Sequence, residues 1–277
     1  MVNQIEQVAL RAARAAGRIH LKRLSRITIN RKSNSIDLVT EADRESEAAI
    51  IDVIHRAFPT HAILAEESGA SVHQSDQRWI IDPLDGTTNF AHGYPQFCVS
   101  IAYERRGRVQ FGVVFDALKK ETFIAQRGQG ARLNGKPIHV SATPNLCSAL
   151  LCTGFAYDRR ERRRFYLCFW EEFMSRSQGV RRTGSAALDL AYVAAGRTDG
   201  FWEFGLRPWD VAAGALIVEE ARGRASNMDG SELDLAGANI VASNGLLHKE
   251  LLDTITQTRP EADRRHAELL RETKASA

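Results

Sequence analysis

Residues 78–90 read RWIIDPLDGTTNF, and they form the most informative motif of the chain. An apolar run, Trp79–Ile81, is followed at once by Asp82, and Asp85 comes three residues later. Ligands of α/β folds bind beyond the carboxyl ends of strands, so the pattern predicts a strand that delivers two carboxylates to a site. With the Leu84 carbonyl, they offer hard oxygen ligands that suit Mg²⁺ or Mn²⁺.

The segment Gly86–Thr88 continues this stretch with small and hydroxyl-bearing residues. It could open a helix whose first backbone N–H groups are unpaired, which would place an anion site beside the cation site. A phosphate ester needs both kinds of site. An isolated Asp-x-x-Asp-Gly is more often a turn with a capping aspartate, so this motif alone does not decide the function.

Further acidic residues share the same position at the end of a predicted element. They are Glu66 and Glu67 after the run Ala62–Ala65, Asp43 after the predicted helix start at Thr40, and Asp210 before the predicted helix Val211–Ala221. Each has an ordinary explanation, as a solvated loop or a helix cap. Asp43 and Glu47 share a helix face, which is exposed by default. Together, however, these residues predict a metal centre.

The hydrophobic pattern divides the chain into two parts, and we predict two α/β subdomains, 1–143 and 144–277. Helical spacing from Ile5 to Ile19 comes first, and period-two alternation from Phe97 to Ser141 predicts an antiparallel meander. A short strand is predicted at Ile27–Ile29, and residues 259–277 are a solvated helix or a frayed tail. Beyond residue 143 the predicted strands are Leu150–Phe155, Gly200–Phe204 and Ile240–Ser243, and the helices are Arg162–Ser175, Ala186–Ala195, Val211–Ala221 and Leu246–Thr256.

Composition excludes several classes of protein. Hydrophobic residues make up 44% of the chain and charged residues 26%, which is ordinary for a globular protein, and a formal charge of +3 does not demand a nucleic-acid or membrane partner. No run approaches the roughly 18 apolar residues of a membrane helix, and residues 1–17 lack the apolar core of a secretory signal. The four cysteines form no CxxC pair. We therefore expect a cytoplasmic protein.

As a set, these motifs resemble the signatures of the inositol monophosphatase family. Residues 79–90 resemble the first signature and residues 209–221 the second, while residues 37–43 and 65–68 fall in the expected order. Residues 182–187 and 205–208 are similar to the bacterial branch of the family. The resemblance runs from about Ile5 to Asn244, with Ala221-Arg222-Gly223 where the family usually has Ala-Gly-Gly. It implies a layered αβαβα fold and a Mg²⁺-dependent, lithium-sensitive phosphatase, generally a homodimer.

The resemblance also implies a role for each matching residue. The first Mg²⁺ would be held by Glu66, Asp82 and the Leu84 carbonyl, the second by Asp82, Asp85 and Asp210, and a third, looser ion in part by Glu66. The catalytic group would be Asp43, Thr87 and Glu66, with Thr87 bonded to Asp43 and orienting the attacking water. The phosphate would bind the amides of Gly86, Thr87 and Thr88. The polyol would contact Asp85, Gly184, Ala186, Glu203 and Asp210, with Lys32 near the site entrance.

Several readings of the function compete at this point. Glu203 could take two hydroxyl hydrogen bonds from a cyclitol and would repel a second phosphate, which favours inositol 1-phosphate over fructose 1,6-bisphosphate or adenosine 3′,5′-bisphosphate. Histidinol phosphate stays open, because its ammonium group would attract an acid. The non-enzymatic alternative is docking of nucleic acid or protein on the arginine-rich run 159–164. Interspersed acids favour a solvated helix face instead, so we do not expect nucleic acid as a partner.

Overall fold

The computed structural model describes residues 2–24, 29–31, 38–71, 75–237 and 239–275. The helices within these ranges are α1 (Val2–Arg23), α2 (Glu41–Ala57), α3 (Thr87–Ala91), α4 (Arg163–Arg176), α5 (Ala186–Ala194), α6 (Pro208–Glu220) and α7 (His248–Ala275). The strands are β1 (Ile29–Arg31), β2 (Leu38–Thr40), β3 (Ala62–Ala65), β4 (Gly69–Ala70), β5 (Gln77–Asp85), β6 (Cys98–Arg105), β7 (Arg108–Asp116), β8 (Glu121–Gln126), β9 (Ala131–Leu133), β10 (Lys136–Ile138), β11 (Leu150–Thr153), β12 (Gly179–Arg181), β13 (Gly200–Glu203), β14 (Arg224–Asn227) and β15 (Ile240–Ser243).

The elements stack in five layers. An eight-stranded sheet has the order β10-β9-β8-β7-β6-β5-β3-β4, and a five-stranded sheet has the order β12-β11-β13-β15-β14. Helices α1 and α2 pack on one face of the larger sheet, α5 and α6 fill the space between the sheets, and α4 and α7 pack on the outer face of the smaller one. The predicted αβαβα sandwich is confirmed.

The layers follow from the apolar pattern of each helix. On α1 the buried apolar residues lie on one stripe from Ile5 to Ala16, because one side packs on the sheet and the other faces water. Every residue from Val211 to Val218 of α6 is buried, because that helix is enclosed by both sheets. The meander predicted from Phe97 to Ser141 is confirmed as the antiparallel strands β6 to β10.

Some boundaries differ from the prediction. Strands β12 and β14 were not predicted, because they are short and carry too few apolar residues to show a period. Helix α7 extends through Pro260 to Ala275, so the charged tail is helical there, and i,i+4 pairs such as Arg259–Asp263 line its surface. Ile27 and Thr28 lie outside the described residues. The subdomain division at residues 143 and 144 stays a prediction.

No helix in the described ranges combines the length and the apolar character that a membrane span requires.

Candidate active site

The two carboxylates of residues 78–90 reach one cavity because strand β5 contains a bulge. We expected Asp82 at the end of the strand, but β5 continues to Asp85. Asp82 pairs with Ser100 of β6 and Asp85 with Cys98, so three steps on β5 oppose two on β6. In a regular strand residues i and i+3 point to opposite faces, and one extra residue brings them to the same face. Asp82 and Asp85 accordingly line the same cavity.

Glu66 joins them from the neighbouring strand. Strand β3 runs parallel to β5 with Ala65 opposite Ile81, and the Glu66 N–H donates to the Ile81 carbonyl at 3.1 Å. This pairing places Glu66 beside Asp82, immediately past the end of β3. Glu66 also lines the cavity.

Asp210 comes from α6 and not from a position ahead of it. The sequence predicted a helix beginning at Val211 with Asp210 as its cap, but α6 begins at Pro208, which fits the first position of a helix. Asp210 is the third residue of α6, and its Oδ2 accepts from the Arg207 N–H at 2.7 Å. The preceding carbonyl, of Trp209, accepts from the Ser100 hydroxyl on β6 at 3.1 Å, which ties this turn to the larger sheet.

Thr87 begins the short helix α3 and touches two groups of the site. Its hydroxyl lies 3.0 Å from Oδ1 of Asp43 and 3.1 Å from the Leu84 carbonyl. The other oxygen of Asp43 accepts from the N–H and the hydroxyl of Thr40, the predicted cap of α2. Gly86 precedes α3 with φ +97°, and a Cβ there would meet the Gln96 carbonyl at 2.8 Å, so this position requires glycine.

The predicted site residues converge on this cavity, whose volume is about 640 Å³. The predicted residues that line it are Glu66, Asp82, Leu84, Asp85, Gly86, Thr87, Thr88, Gly184, Ala186, Glu203 and Asp210. Asp43 lies behind them and contacts Thr87. Lys32 lies outside the described residues.

Comparison with known proteins identifies the family to which the chain belongs. The model of the inositol monophosphatase family matches residues 1–264. The chain belongs to the inositol monophosphatase family. It is therefore a phosphatase, as predicted.

Relatives within this family carry two different names. The chain is 48% identical to the "Nus factor SuhB" of Pseudomonas aeruginosa, over 90% of this chain and 94% of that protein. It is 50% identical to the "Inositol-1-monophosphatase" of Synechocystis sp., over 83% of this chain and 80% of that protein. The structure of inositol monophosphatase from Anabaena (Nostoc) sp. matches with a TM-score of 0.84 and 45% identity, over 92% of this chain and 96% of that one.

A structure with bound ions also matches. An IMPase/NADP phosphatase complexed with Mg²⁺ and phosphate is 26% identical, with a TM-score of 0.81, over 91% of this chain and 95% of that one. Together with the family assignment, this supports divalent-metal dependence in this phosphatase.

The acidic groups of the cavity raise one another's pKa. Burial raises the pKa of Asp82 well above its usual value, and the charges of Glu66, Asp85 and Asp210 raise it further. Burial also raises the pKa of Asp210, with Asp85 the largest charge acting on it. Among the described residues, neither of these aspartates, nor Asp85, forms an ion pair with a basic side chain. Such a cluster is stabilised by a bound cation.

The donor set fits a hard divalent cation. Carboxylates and a carbonyl line this part of the cavity, and no histidine or cysteine of the described ranges joins them. Asp82 is anchored through Oδ1 by the Leu84 N–H, and Asp85 through Oδ2 by Ser185 and the Ala187 N–H. No three acidic, histidine or cysteine side chains of the described ranges stand close enough to enclose an ion as they are.

Glu47 supports the site from outside the cavity, which the sequence did not indicate. We expected the helix face of Asp43 and Glu47 to be exposed, and that was wrong, because both side chains are buried. The Glu47 carboxylate accepts from the N–H groups of Glu67 at 2.8 Å and Ser68 at 2.9 Å. Glu47 thereby holds the loop that presents Glu66.

We predict that Glu47→Ala loosens this loop. Two backbone N–H groups lose their acceptor, so the free energy of unfolding should fall by about 2 kcal/mol and Mg²⁺ should be needed at higher concentration for activity. Urea unfolding and a Mg²⁺ titration measure the two effects. Glu45→Ala on the exposed side of the same helix is the control and should cost less than about 1 kcal/mol. Equal losses in both variants would contradict this function of Glu47.

Glu203 and Asp189 occupy the other wall of the cavity. Glu203 ends β13 and fits because Gly154 faces it without a side chain, since a Cβ there would overlap the carboxylate. Burial raises the pKa of Glu203 well above its usual value. Asp189, which the sequence analysis did not select, accepts from the Thr183 hydroxyl at 2.6 Å, and burial raises its pKa to about 8. A lone acid in the apolar helix α5 was the signal that could have identified it.

His20 supports the segment between Asp82 and Asp85 from behind. Its Nε2 donates to the Pro83 carbonyl at 2.9 Å, because a carbonyl can only accept. The ring is fully buried against Phe90 and Phe97, and burial lowers its pKa to about 4. His20 is therefore neutral in the folded protein at ordinary pH.

Folding stability should accordingly depend on pH through His20. In the unfolded chain this histidine gains its proton near pH 6.5, whereas in the folded protein it does so only near pH 4. The stabilisation that buried, neutral His20 gives the folded protein is therefore complete above pH 6.5. It is lost as the pH falls toward 4, where the loss reaches about 2–3 kcal/mol. The difference between the unfolding free energies at pH 7 and pH 4.5 should be smaller in His20→Gln than in wild type by about this amount. Identical pH dependence in the two proteins would refute the assignment.

Proposed function

We propose that this phosphatase hydrolyses inositol 1-phosphate to myo-inositol and phosphate, with Mg²⁺ as cofactor. The observation that carries the proposal is that one cavity is lined by four carboxylates, by the first residues of α3 and by Glu203. Carboxylates suit the metal, backbone amides suit the phosphate, and a carboxylate such as Glu203 suits the hydroxyls of a cyclitol.

The metal ligands we propose are those implied by the sequence. Glu66, Asp82 and the Leu84 carbonyl would hold one Mg²⁺, Asp82, Asp85 and Asp210 a second, and Glu66 would contribute to a third; Mn²⁺ suits the same ligands. Bound divalent metal supplies Lewis acidity, which makes water a better nucleophile and stabilises charge on the leaving oxygen. The family assignment and the acidic, cation-demanding cavity support these assignments.

The chain's own groups would then orient the reactants. Asp43, whose pKa burial raises to about 6, can accept a proton that reaches it through the Thr87 hydroxyl. The amides of Gly86, Thr87 and Thr88 would hold the phosphate oxygens, and Gly184, Ala186, Glu203, Asp85 and Asp210 would contact the polyol. No covalent intermediate is required, because water attacks phosphorus directly. We also propose lithium sensitivity and a homodimer, as the family resemblance implies.

Phosphate release from a set of esters tests the substrate. Inositol 1-phosphate, fructose 1,6-bisphosphate, histidinol phosphate and adenosine 3′,5′-bisphosphate are compared with Mg²⁺, each with and without Li⁺. The proposal expects the fastest release from inositol 1-phosphate and inhibition by Li⁺. Faster release from another ester would keep the phosphatase and overturn the choice of inositol 1-phosphate.

A second candidate function comes from the names of the relatives. Several are called Nus factor SuhB, at 42–48% identity, so we propose a role in transcription for this chain as an alternative or additional function. Our expectation that nucleic acid is not a partner is therefore unsupported. Binding of the purified protein to RNA across a salt series tests this candidate, and affinity should fall steeply with salt if phosphates are contacted.

A further inference from the structure

Asn89, the third residue of α3, contacts two distant segments of the chain at once. Its Nδ2 donates to the Gln96 carbonyl at 2.6 Å and to the Thr183 carbonyl at 2.9 Å, and the Gly184 carbonyl lies 3.3 Å away. An amide nitrogen carries two hydrogens, so the Gly184 carbonyl can only share one of them. Neither Asn89 nor Thr183 lines the cavity. The Asn89 side chain therefore acts on the site only through the backbone that it holds.

The segment 183–185 forms part of the cavity wall that we assign to the polyol. Gly184 lines the cavity with φ +89°, and a Cβ there would come within 3.0 Å of the Asn89 Nδ2. Glycine at this position therefore lets the Asn89 amide lie directly behind the wall. The next residue, Ser185, donates from its hydroxyl to Asp85 at 2.7 Å. A shift of this segment would move the contacts proposed for the polyol.

The Gln96 end of the contact is anchored to the larger sheet. The Lys119 ammonium donates to the Pro95 carbonyl at 2.8 Å and to the side-chain oxygen of Gln96 at 3.0 Å. It also pairs with Asp116 at 2.6 Å, and Asp116 is the buried last residue of β7. Asn89 therefore joins the segment 183–185 to a fixed point of the larger sheet.

Helix α3 does not need the Asn89 side chain to keep its place. The Phe90 N–H donates to the Gly86 carbonyl at 2.9 Å, and the Phe90 ring is buried against Phe97 and His20. Removing the amide of residue 89 should therefore leave the start of α3, where we place the phosphate, in position. Its main effect should be to release the carbonyls of the segment 183–185.

We propose that Asn89 is a positioning residue that fixes the distance between the phosphate-binding start of α3 and the polyol-contacting segment 183–185. This rests on the proposed function and deepens it by naming a residue that determines specificity. A polyol phosphate contacts both parts of the site, so a small displacement of one part misplaces the ester, and a misplacement of about 1 Å can cost about 10²-fold in rate. An ester whose leaving group has no hydroxyls depends much less on the segment 183–185.

Two esters with different leaving groups test this coupling. The values of kcat/KM are measured with Mg²⁺ for inositol 1-phosphate and for 4-nitrophenyl phosphate, which has no hydroxyl groups. In Asn89→Ala the value for inositol 1-phosphate should fall at least about 30-fold and the value for 4-nitrophenyl phosphate less than about threefold, so their ratio falls about tenfold or more. A smaller folded fraction cannot change this ratio, because the same molecules hydrolyse both esters.

Asn244→Ala is the matched control. The Asn244 amide also joins two parts of the chain, since its Nδ2 donates to the Thr143 carbonyl at 2.9 Å and to the Ser141 hydroxyl at 3.1 Å. Asn244 does not line the cavity. Its replacement should leave the ratio of the two esters unchanged, whatever it costs in folding stability.

Two further variants distinguish hydrogen bonding from space filling. Asn89→Asp keeps the size of the side chain but cannot donate to the carbonyls, so its ratio should be at least as low as that of Asn89→Ala. A wild-type ratio in Asn89→Asp would mean that residue 89 only fills space, and would overturn the proposal. Asn89→Ser keeps one donor on a shorter side chain, and its ratio should fall about threefold. If the other two variants do not fold, a wild-type ratio in Asn89→Ser overturns the proposal.

The outcomes separate this inference from the proposed function. Phosphate release from inositol 1-phosphate by wild type tests the proposed substrate, whatever the variants do. If wild type hydrolyses another ester of the panel faster, that ester replaces inositol 1-phosphate in the ratio. An unchanged ratio in folded Asn89→Ala, or equal losses for both esters, would overturn the coupling and leave the proposed function in place.

Discussion

Replacing Asp210 by asparagine should reduce kcat by at least about 10³-fold while the protein stays folded. The carboxylate would be lost from the second metal, and divalent metal supplies several kcal/mol of transition-state stabilisation at about 1.4 kcal/mol for each factor of ten. The fold should change little, because the asparagine carbonyl can still accept from the Arg207 N–H. Removing one of several mutually repelling acids also offsets part of any loss of folding stability.

Kinetics and thermal unfolding in parallel check this prediction. The midpoint of unfolding should move by no more than about 4 °C, since a position in the first turn is worth about 1 kcal/mol. Asp229→Asn is the matched control, because Asp229 also accepts a backbone N–H, that of Ser231, but lies on the surface away from the cavity. A collapsed melting temperature with retained turnover in the folded fraction would refute the assignment of Asp210 to the metal.

Replacing Thr87 by valine should reduce kcat by about 10²- to 10⁴-fold and change KM little. Valine has nearly the shape of threonine but cannot connect Asp43 with a reacting water, and positioned proton transfer contributes a factor of this size. Asp43 keeps two hydrogen bonds from Thr40, so the local structure should survive.

Thr87→Ser is the informative companion variant. Serine keeps the hydroxyl between Asp43 and the cavity, so we expect it to retain most of the activity. If valine and serine reduce kcat equally, the methyl group of Thr87 matters for packing and the hydroxyl does not carry a proton. Steady-state kinetics at saturating Mg²⁺ distinguish the two results.

Some features of the site could be predicted because they depend on local chemistry. The order of apolar run, Asp82, Asp85 and Gly86 was sufficient to predict paired carboxylates followed by a helix start, and the structure has both. Thr40 with Asp43 predicted the beginning of α2, and the capping box is present. In these places each residue's own backbone preference agrees with the fold.

Other features depend on contacts between distant segments. The bulge between Asp82 and Asp85 exists only in register with β6, so no property of β5 alone shows it. The sequence predicted a solvent-facing Glu47, but in the structure the loop at Glu67 covers it and donates a hydrogen bond to its carboxylate. Arg159 belongs to a run that the sequence predicted to be a solvated helix face. In the structure it lines the active-site cavity, together with Arg182, which lies more than twenty residues further along the chain.

Restoring metal to chelator-treated protein tests the central claim most directly. Phosphate release from inositol 1-phosphate is followed as Mg²⁺ is added back to protein that was freed of divalent ions. The account predicts no release without metal and a saturable return of activity with Mg²⁺. Equal release with and without metal, or no release from folded protein at any Mg²⁺ concentration, would contradict it.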